Sequence, residues 1–79
     1  SLPSPKGVAL AVLQICRNEN ISIHEITRLI QTDPTLSYRL IYRANLTKTT
    51  SRQIASISDA IVHLGIHSVK QLILGFSLI

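Results

Sequence analysis

Apolar residues recur along this chain at spacings of three and four, and caps or stops interrupt them at intervals. Ala9, Val12, Leu13 and Cys16 fall at i, i+3, i+4 and i+7, one face of a helix. Val8, Leu10, Ala11 and Ile15 are apolar too, so a helix over Lys6–Arg17 is greasy on most sides and is expected to be buried on more than one. Ser4-Pro5 opens it: Ser4 is an N-cap, and proline at the first helical position gives up an N–H that has no partner there anyway. Asn18-Glu19-Asn20 ends it, with Asn18 or Asn20 suited to a left-handed C-cap.

A second, short helix is expected over Ile23–Gln31. Ser22 and Glu25 have the spacing of a capping box, in which each side chain satisfies the other residue's free backbone N–H. Ile21 and Ile26 flank the cap as in a hydrophobic staple, and Ile23, Ile26, Leu29 and Ile30 make the stripe to be buried. Asp33-Pro34 repeats the cap-plus-proline signature and starts a third helix, running to about Asn45 with Leu36, Leu40, Ile41 and Ala44 inward. Leu46–Ala55 reads as a loop, because its threonines and serines compete with helical hydrogen bonds. A fourth helix begins near Ser56, with Asp59 as a weaker capping partner, and places Ala60, Ile61 and Leu64 inward. Gly65 stops it, since glycine takes a positive φ without strain. The fifth helix starts near His67. Val69, Leu72, Ile73 and Phe76 form one stripe, and Leu74, Leu78 and Ile79 cover another side. It has no C-terminal cap, so the chain reads as a fragment whose remaining helices cover this face. No strand-like alternation competes, and the predicted fold is all-α, a compact bundle of about five short helices.

Composition narrows the class. The chain has 79 residues, of which 46% are hydrophobic, and its mean hydropathy is +0.31. That is too apolar for a disordered tail and rich for a stand-alone domain of this size, which buries only about 60% of its surface on folding. No apolar run approaches the roughly 20 residues of a membrane span, and the N-terminus lacks the basic leader and apolar core of a signal peptide. A single cysteine excludes an internal disulfide and suits a reduced, cytoplasmic setting. The net charge is +4, but the basic residues Lys6, Arg17, Arg28, Arg39, Arg43, Lys48, Arg52 and Lys70 are spread out, so a mildly basic solvated surface is favoured over a nucleic-acid site.

Three segments, in order, resemble a known family. They are Leu2-Pro3-Ser4-Pro5 with the apolar helix Val8–Ile15, then Gln31-Thr32-Asp33-Pro34-Thr35-Leu36-Ser37 on to Ala44-Asn45, then Ile57-Ser58-Asp59-Ala60-Ile61-Val62-His63-Leu64-Gly65. Together they look like the start of an HDOD domain, a bacterial signalling module related to the HD phosphohydrolases. The resemblance covers residues 1–79 and implies the N-terminal part of a larger all-helical domain. It implies no cofactor and no metal-ligand set. It also implies a regulatory role beside receiver, diguanylate cyclase or phosphodiesterase-like domains, through protein or interdomain contacts.

The chemistry-bearing residues fit that expectation. His24, His63 and His67 are not followed by aspartate, so the side-by-side His-Asp ligand pair of HD enzymes is missing, and Gly65 interrupts the one pair of histidines four apart. Cys16 sits on the apolar stripe near a helix C-terminus, the wrong end of the dipole for a thiolate, so it is expected in the core. Glu25, Asp33 and Asp59 have capping roles, which leaves no carboxylate pair for acid–base work and no catalytic assignment. Isolated Gly7, Gly65 and Gly75 make no phosphate loop.

Tyr38, Arg39, Tyr42 and Arg43 are the candidate interaction patch, because tyrosine and arginine concentrate at protein-interface hot spots. The plainer reading is favoured over it, with the tyrosines packed under the Leu46–Ala55 loop and the arginines solvated. Asn45 is expected to end the third helix and hold the loop that follows, a role the family pattern supports. Two other functions are weighed and set lower. One is an HD-type metal-dependent phosphohydrolase acting on nucleotides or cyclic dinucleotides. The other is a helix-turn-helix DNA binder, disfavoured because the third helix carries its arginines too far from its N-terminus. The open face of the last helix is expected to promote self-association.

Overall fold

The geometry of the ends of each segment explains where the chain turns. In the computed structural model, which describes residues 5–18 and 20–77, the chain forms five α-helices: α1 Pro5–Ile15, α2 Ile23–Ile30, α3 Pro34–Thr47, α4 Ile57–Leu64 and α5 Ile66–Ser77. No strand occurs among the described residues. None of the helices is long and apolar enough to cross a membrane. Ser4, Leu78 and Ile79 lie outside the described residues, as does Glu19.

Caps set the boundaries. Ser22 Oγ accepts from the Glu25 N–H at 3.1 Å, and Ser56 Oγ accepts from the Asp59 N–H at 3.1 Å. Asp33 Oδ1 accepts from both Thr35 and Leu36, at 3.0 and 3.1 Å, while Pro34 occupies the first turn. Only half of the expected box at α2 forms: the Glu25 carboxylate is exposed and returns no bond to Ser22. Its charge still lies in the first turn, where the helix dipole favours an anion. α1 ends by tightening, with Arg17 N–H donating to Gln14 and Asn18 N–H to Ile15. Asn18 then accepts from the Asn20 N–H at 3.0 Å, so a side-chain turn replaces the left-handed cap; neither asparagine has a positive φ.

Gly65 is the one described residue with a positive φ, +85°, with ψ at 150°. It closes α4 by donating its N–H to Ile61, and its own carbonyl accepts the Val69 N–H of α5. One glycine is therefore the C-cap of one helix and the residue before the next, and α5 starts at Ile66 rather than His67.

The core is the set of inward positions of all five helices: Val8, Ala9, Val12, Cys16, Ile26, Ile30, Leu36, Leu40, Ala44, Ala60, Ile61, Val69 and Ile73. α4 sits at its centre, packed on α2, α3 and α5, while α1 packs on α2 and α5. Burying a side chain such as Ile61 or Ile73 contributes about 1.5–3 kcal/mol. One inward assignment fails, and one buried residue was outside the expected stripe. Ile23, in the first turn of α2, lies at the edge of the packed surface and stays exposed, whereas Thr27 one turn later is buried.

Candidate interaction surface

α3 extends past Asn45 to Thr47, and that extra length builds the site. The Thr47 hydroxyl lies 3.2 Å from the Ala44 carbonyl and 3.3 Å from that of Arg43, and 3.1 Å from His63 Nε2. Threonine thus bonds back into its own helix and to α4, so the competition between hydroxyl and helix expected here resolves in favour of the helix. Leu46 becomes helical and falls in line with Tyr38 and Tyr42, at i, i+4 and i+8. These three side chains are 61%, 68% and 53% exposed respectively. The tyrosines do not pack under the following loop. They stack on each other in the open, with ring centroids 6.0 Å apart and planes 18° from parallel. The core side of α3 is filled by Leu36, Leu40 and Ala44, which leaves the opposite face to water.

Arg39 and Arg43 flank this stripe. The Arg39 guanidinium lies 5.3 Å from the centre of the Phe76 ring on α5, a cation–π contact that holds it beside the stripe. Beyond the C-terminal end of α3, Lys48 Nζ donates to the Arg52 carbonyl at 2.7 Å and folds the polar loop back on itself. From residue 34 to 58 the chain has four basic residues and no acidic one. Neither Phe76 as the partner of Arg39 nor Leu46 as part of the surface is evident from the sequence alone. The spacing of Tyr38, Tyr42 and Leu46 carried the second signal, once the helix is allowed to continue to Thr47.

The loop returns to the bundle through Asn45. Its Nδ2 donates to the Ile54 carbonyl at 2.9 Å and to the Ile41 carbonyl at 3.0 Å, and its Oδ1 accepts the Ile54 N–H at 2.9 Å. The half-buried Ile54 packs against the core beneath.

The remaining polar groups do not converge. His63 engages Thr47, His67 Nε2 lies 3.2 Å from Gln71 Nε2 on α5, and His24 is exposed on α2. Among the described residues no three of His, Cys, Asp and Glu are placed to hold a metal ion. Cys16 is buried, and burial pushes its thiol up from the ordinary value, against a smaller opposing pull from Lys70. A shallow groove between α1 and α2 is lined by Ile15, Glu25, Arg28, Leu29 and Thr32.

Five short helices around one apolar core, with an aromatic and basic helix face left open, define an all-α fold. The chain belongs to the HDOD domain family, which it matches over residues 2–79. Among solved structures it is similar to a fragment of the MmoQ response regulator from Methylococcus capsulatus strain Bath, with 38% identity and a TM-score of 0.73. That similarity covers 99% of this chain and 31% of the other, so the chain spans about a third of the length of that structure. No curated protein matches the chain significantly.

Proposed function

We propose that this chain is a non-catalytic regulatory module of cytoplasmic signal transduction, acting through contacts with protein partners or with signalling domains on the same polypeptide. The observation that carries the reading is the exposed Tyr38–Tyr42–Leu46 stripe with Arg39 and Arg43 beside it. Membership of the HDOD family and likeness to a response regulator support a signalling role. Receiver, diguanylate cyclase and phosphodiesterase-like domains are the partner types that role brings with it. Regulation by such a module works by binding one conformation of a partner better than another. The apolar face of α5, where Leu74 is half exposed, offers a second contact, for further helices of the domain or for another copy of the chain.

The test is an assay for turnover. The full chain, purified without chelators, is incubated with nucleoside phosphates and cyclic dinucleotides in the presence of manganese or iron. No turnover above the buffer rate is expected. Metal-dependent turnover that disappears in His63→Ala replaces the reading with an HD-type phosphohydrolase.

A further inference from the structure

The α3 face combines two features that select for the same occupant. The first is apolar. Tyr38, Tyr42 and Leu46 run in one line along the helix, each more than half exposed. Contiguous apolar surface rimmed by polar residues marks contact sites on small proteins. The second is electrostatic. Arg39 and Arg43 each follow one of the tyrosines and run along one edge of the stripe, and Lys48 and Arg52 stand past its end. None of these four cations makes an ion pair with a carboxylate among the described residues; Arg39 rests on Phe76, and Lys48 holds a backbone carbonyl. α5, which packs beside α3, has no acidic residue either; of the acids nearest along the chain, Asp33 caps the N-terminus of α3 and is engaged by the Thr35 and Leu36 N–H groups, and Asp59 stands in the first turn of α4. Unpaired cations around an apolar stripe favour carboxylates that bracket an apolar anchor.

We propose that the α3 face docks an acidic protein segment. Its apolar side chains lie along Tyr38, Tyr42 and Leu46, and its carboxylates reach Arg39, Arg43 and the Lys48–Arg52 turn. The Phe76 contact holds the Arg39 fork in place, so less side-chain freedom is lost when it meets a carboxylate. This deepens the reading of the chain as an interaction module and rests on it. Single-stranded nucleic acid is the competing anion, and the surface suits it less. Base binding needs open aromatic faces, whereas the two tyrosine rings already cover one face of each other and the stripe ends in an aliphatic Leu46.

The test titrates the full chain into a fluorescently labelled synthetic peptide in which glutamate alternates with leucine and phenylalanine. The same peptide with glutamine for glutamate, and a single-stranded oligothymidylate, are the comparison probes. The acidic peptide binds, more weakly as salt rises, and the glutamine peptide binds at least about tenfold less well. Arg43→Glu, and separately Tyr42→Ala with Leu46→Ala, weaken the acidic peptide at least about tenfold. Arg28→Glu, on α2, leaves it unchanged. Circular dichroism and thermal melting keep the comparison to folded variants. Equal binding of the two peptides, equal loss from Arg28→Glu, or tighter binding of the oligothymidylate overturns the proposal. The first two leave the interaction-module reading standing, because that reading falls to metal-dependent turnover instead; tighter binding of the oligothymidylate turns this face, and that reading with it, from a protein to a nucleic-acid partner.

Discussion

The side-chain amide of Asn45 pairs with both backbone groups of Ile54, donating to its carbonyl and accepting from its N–H, each at 2.9 Å. The pairing copies one rung of a β-ladder with a side chain, and it fastens a polar loop to the end of α3. Asn45→Ala removes three hydrogen bonds at once and strips both backbone groups of half-buried Ile54 of their Asn45 partner, while the Ile41 carbonyl keeps its bond within α3. A loss of about 2–3 kcal/mol in denaturant unfolding is expected. Asn45→Asp keeps the acceptor but sets a carboxylate oxygen against the Ile54 and Ile41 carbonyls in place of the donor, so it should be no more stable than alanine. Wild-type stability in the alanine variant removes the claim.

Gly65 and Gly75 give opposite responses to the same substitution. An added Cβ meets nothing within 4 Å at either position, so crowding decides neither outcome. At Gly65 the backbone conformation, with φ at +85°, is one that alanine adopts only under strain. Gly65→Ala is expected to destabilise by about 1–3 kcal/mol. Gly75 lies within α5, where alanine is the better helix former. Gly75→Ala is expected to stabilise by about 0.5–1 kcal/mol. Thermal melts of the two variants moving in the same direction contradict this account.

Thr27 is buried, and its hydroxyl has no hydrogen-bond partner among the described residues. Thr32, by contrast, donates to the Leu29 carbonyl at 2.7 Å. Thr27→Val keeps the branched shape and removes the unsatisfied oxygen. A gain of about 1 kcal/mol is expected by urea unfolding. A loss of that size indicates that the hydroxyl is satisfied in solution.

Burial raises the Cys16 thiol above its ordinary value of 9.0, with Lys70 opposing it in part. Below that value the thiol is protonated in the folded and unfolded chains alike, and its contribution is fully present. Above it the unfolded chain releases the proton first, so this contribution is lost as pH rises toward and through the raised folded value. Cys16→Ala should therefore lose less stability than wild type as the solution is made more alkaline, although it starts lower because of the cavity. Parallel stability curves in that range argue against the thiol as the cause.

Much of the bundle was legible from local chemistry. Asp33-Pro34, Ser22, Ser56 and Gly65 each act through backbone groups within a few residues, and their positions alone announce the helix ends. The errors fall where a distant partner decides. Thr47 looked like a helix breaker; its hydroxyl instead bonds back to α3 and meets His63 on α4. That extension moved Leu46 from a loop to a helix face and turned the expected covering of Tyr38 and Tyr42 into open surface. Ile23 and Thr27 share one side of α2, and only the packing of the neighbouring helices determines which of them is buried. The patch residues were found by type and spacing, whereas the placing of Arg39 on Phe76 depends on how α5 crosses α3.

The junction at Gly65 has no slack. Since one residue ends α4 and its carbonyl begins α5, the rotational phase of the last helix is inherited from the helix before it. A single inserted residue there turns α5 by about 100° about its axis. That rotation swings Val69 and Ile73 out of the core and carries Phe76 away from Arg39. The electrostatic rim of the α3 face is thus indexed to the core through one glycine, and the junction is a place where evolution can substitute little and insert nothing.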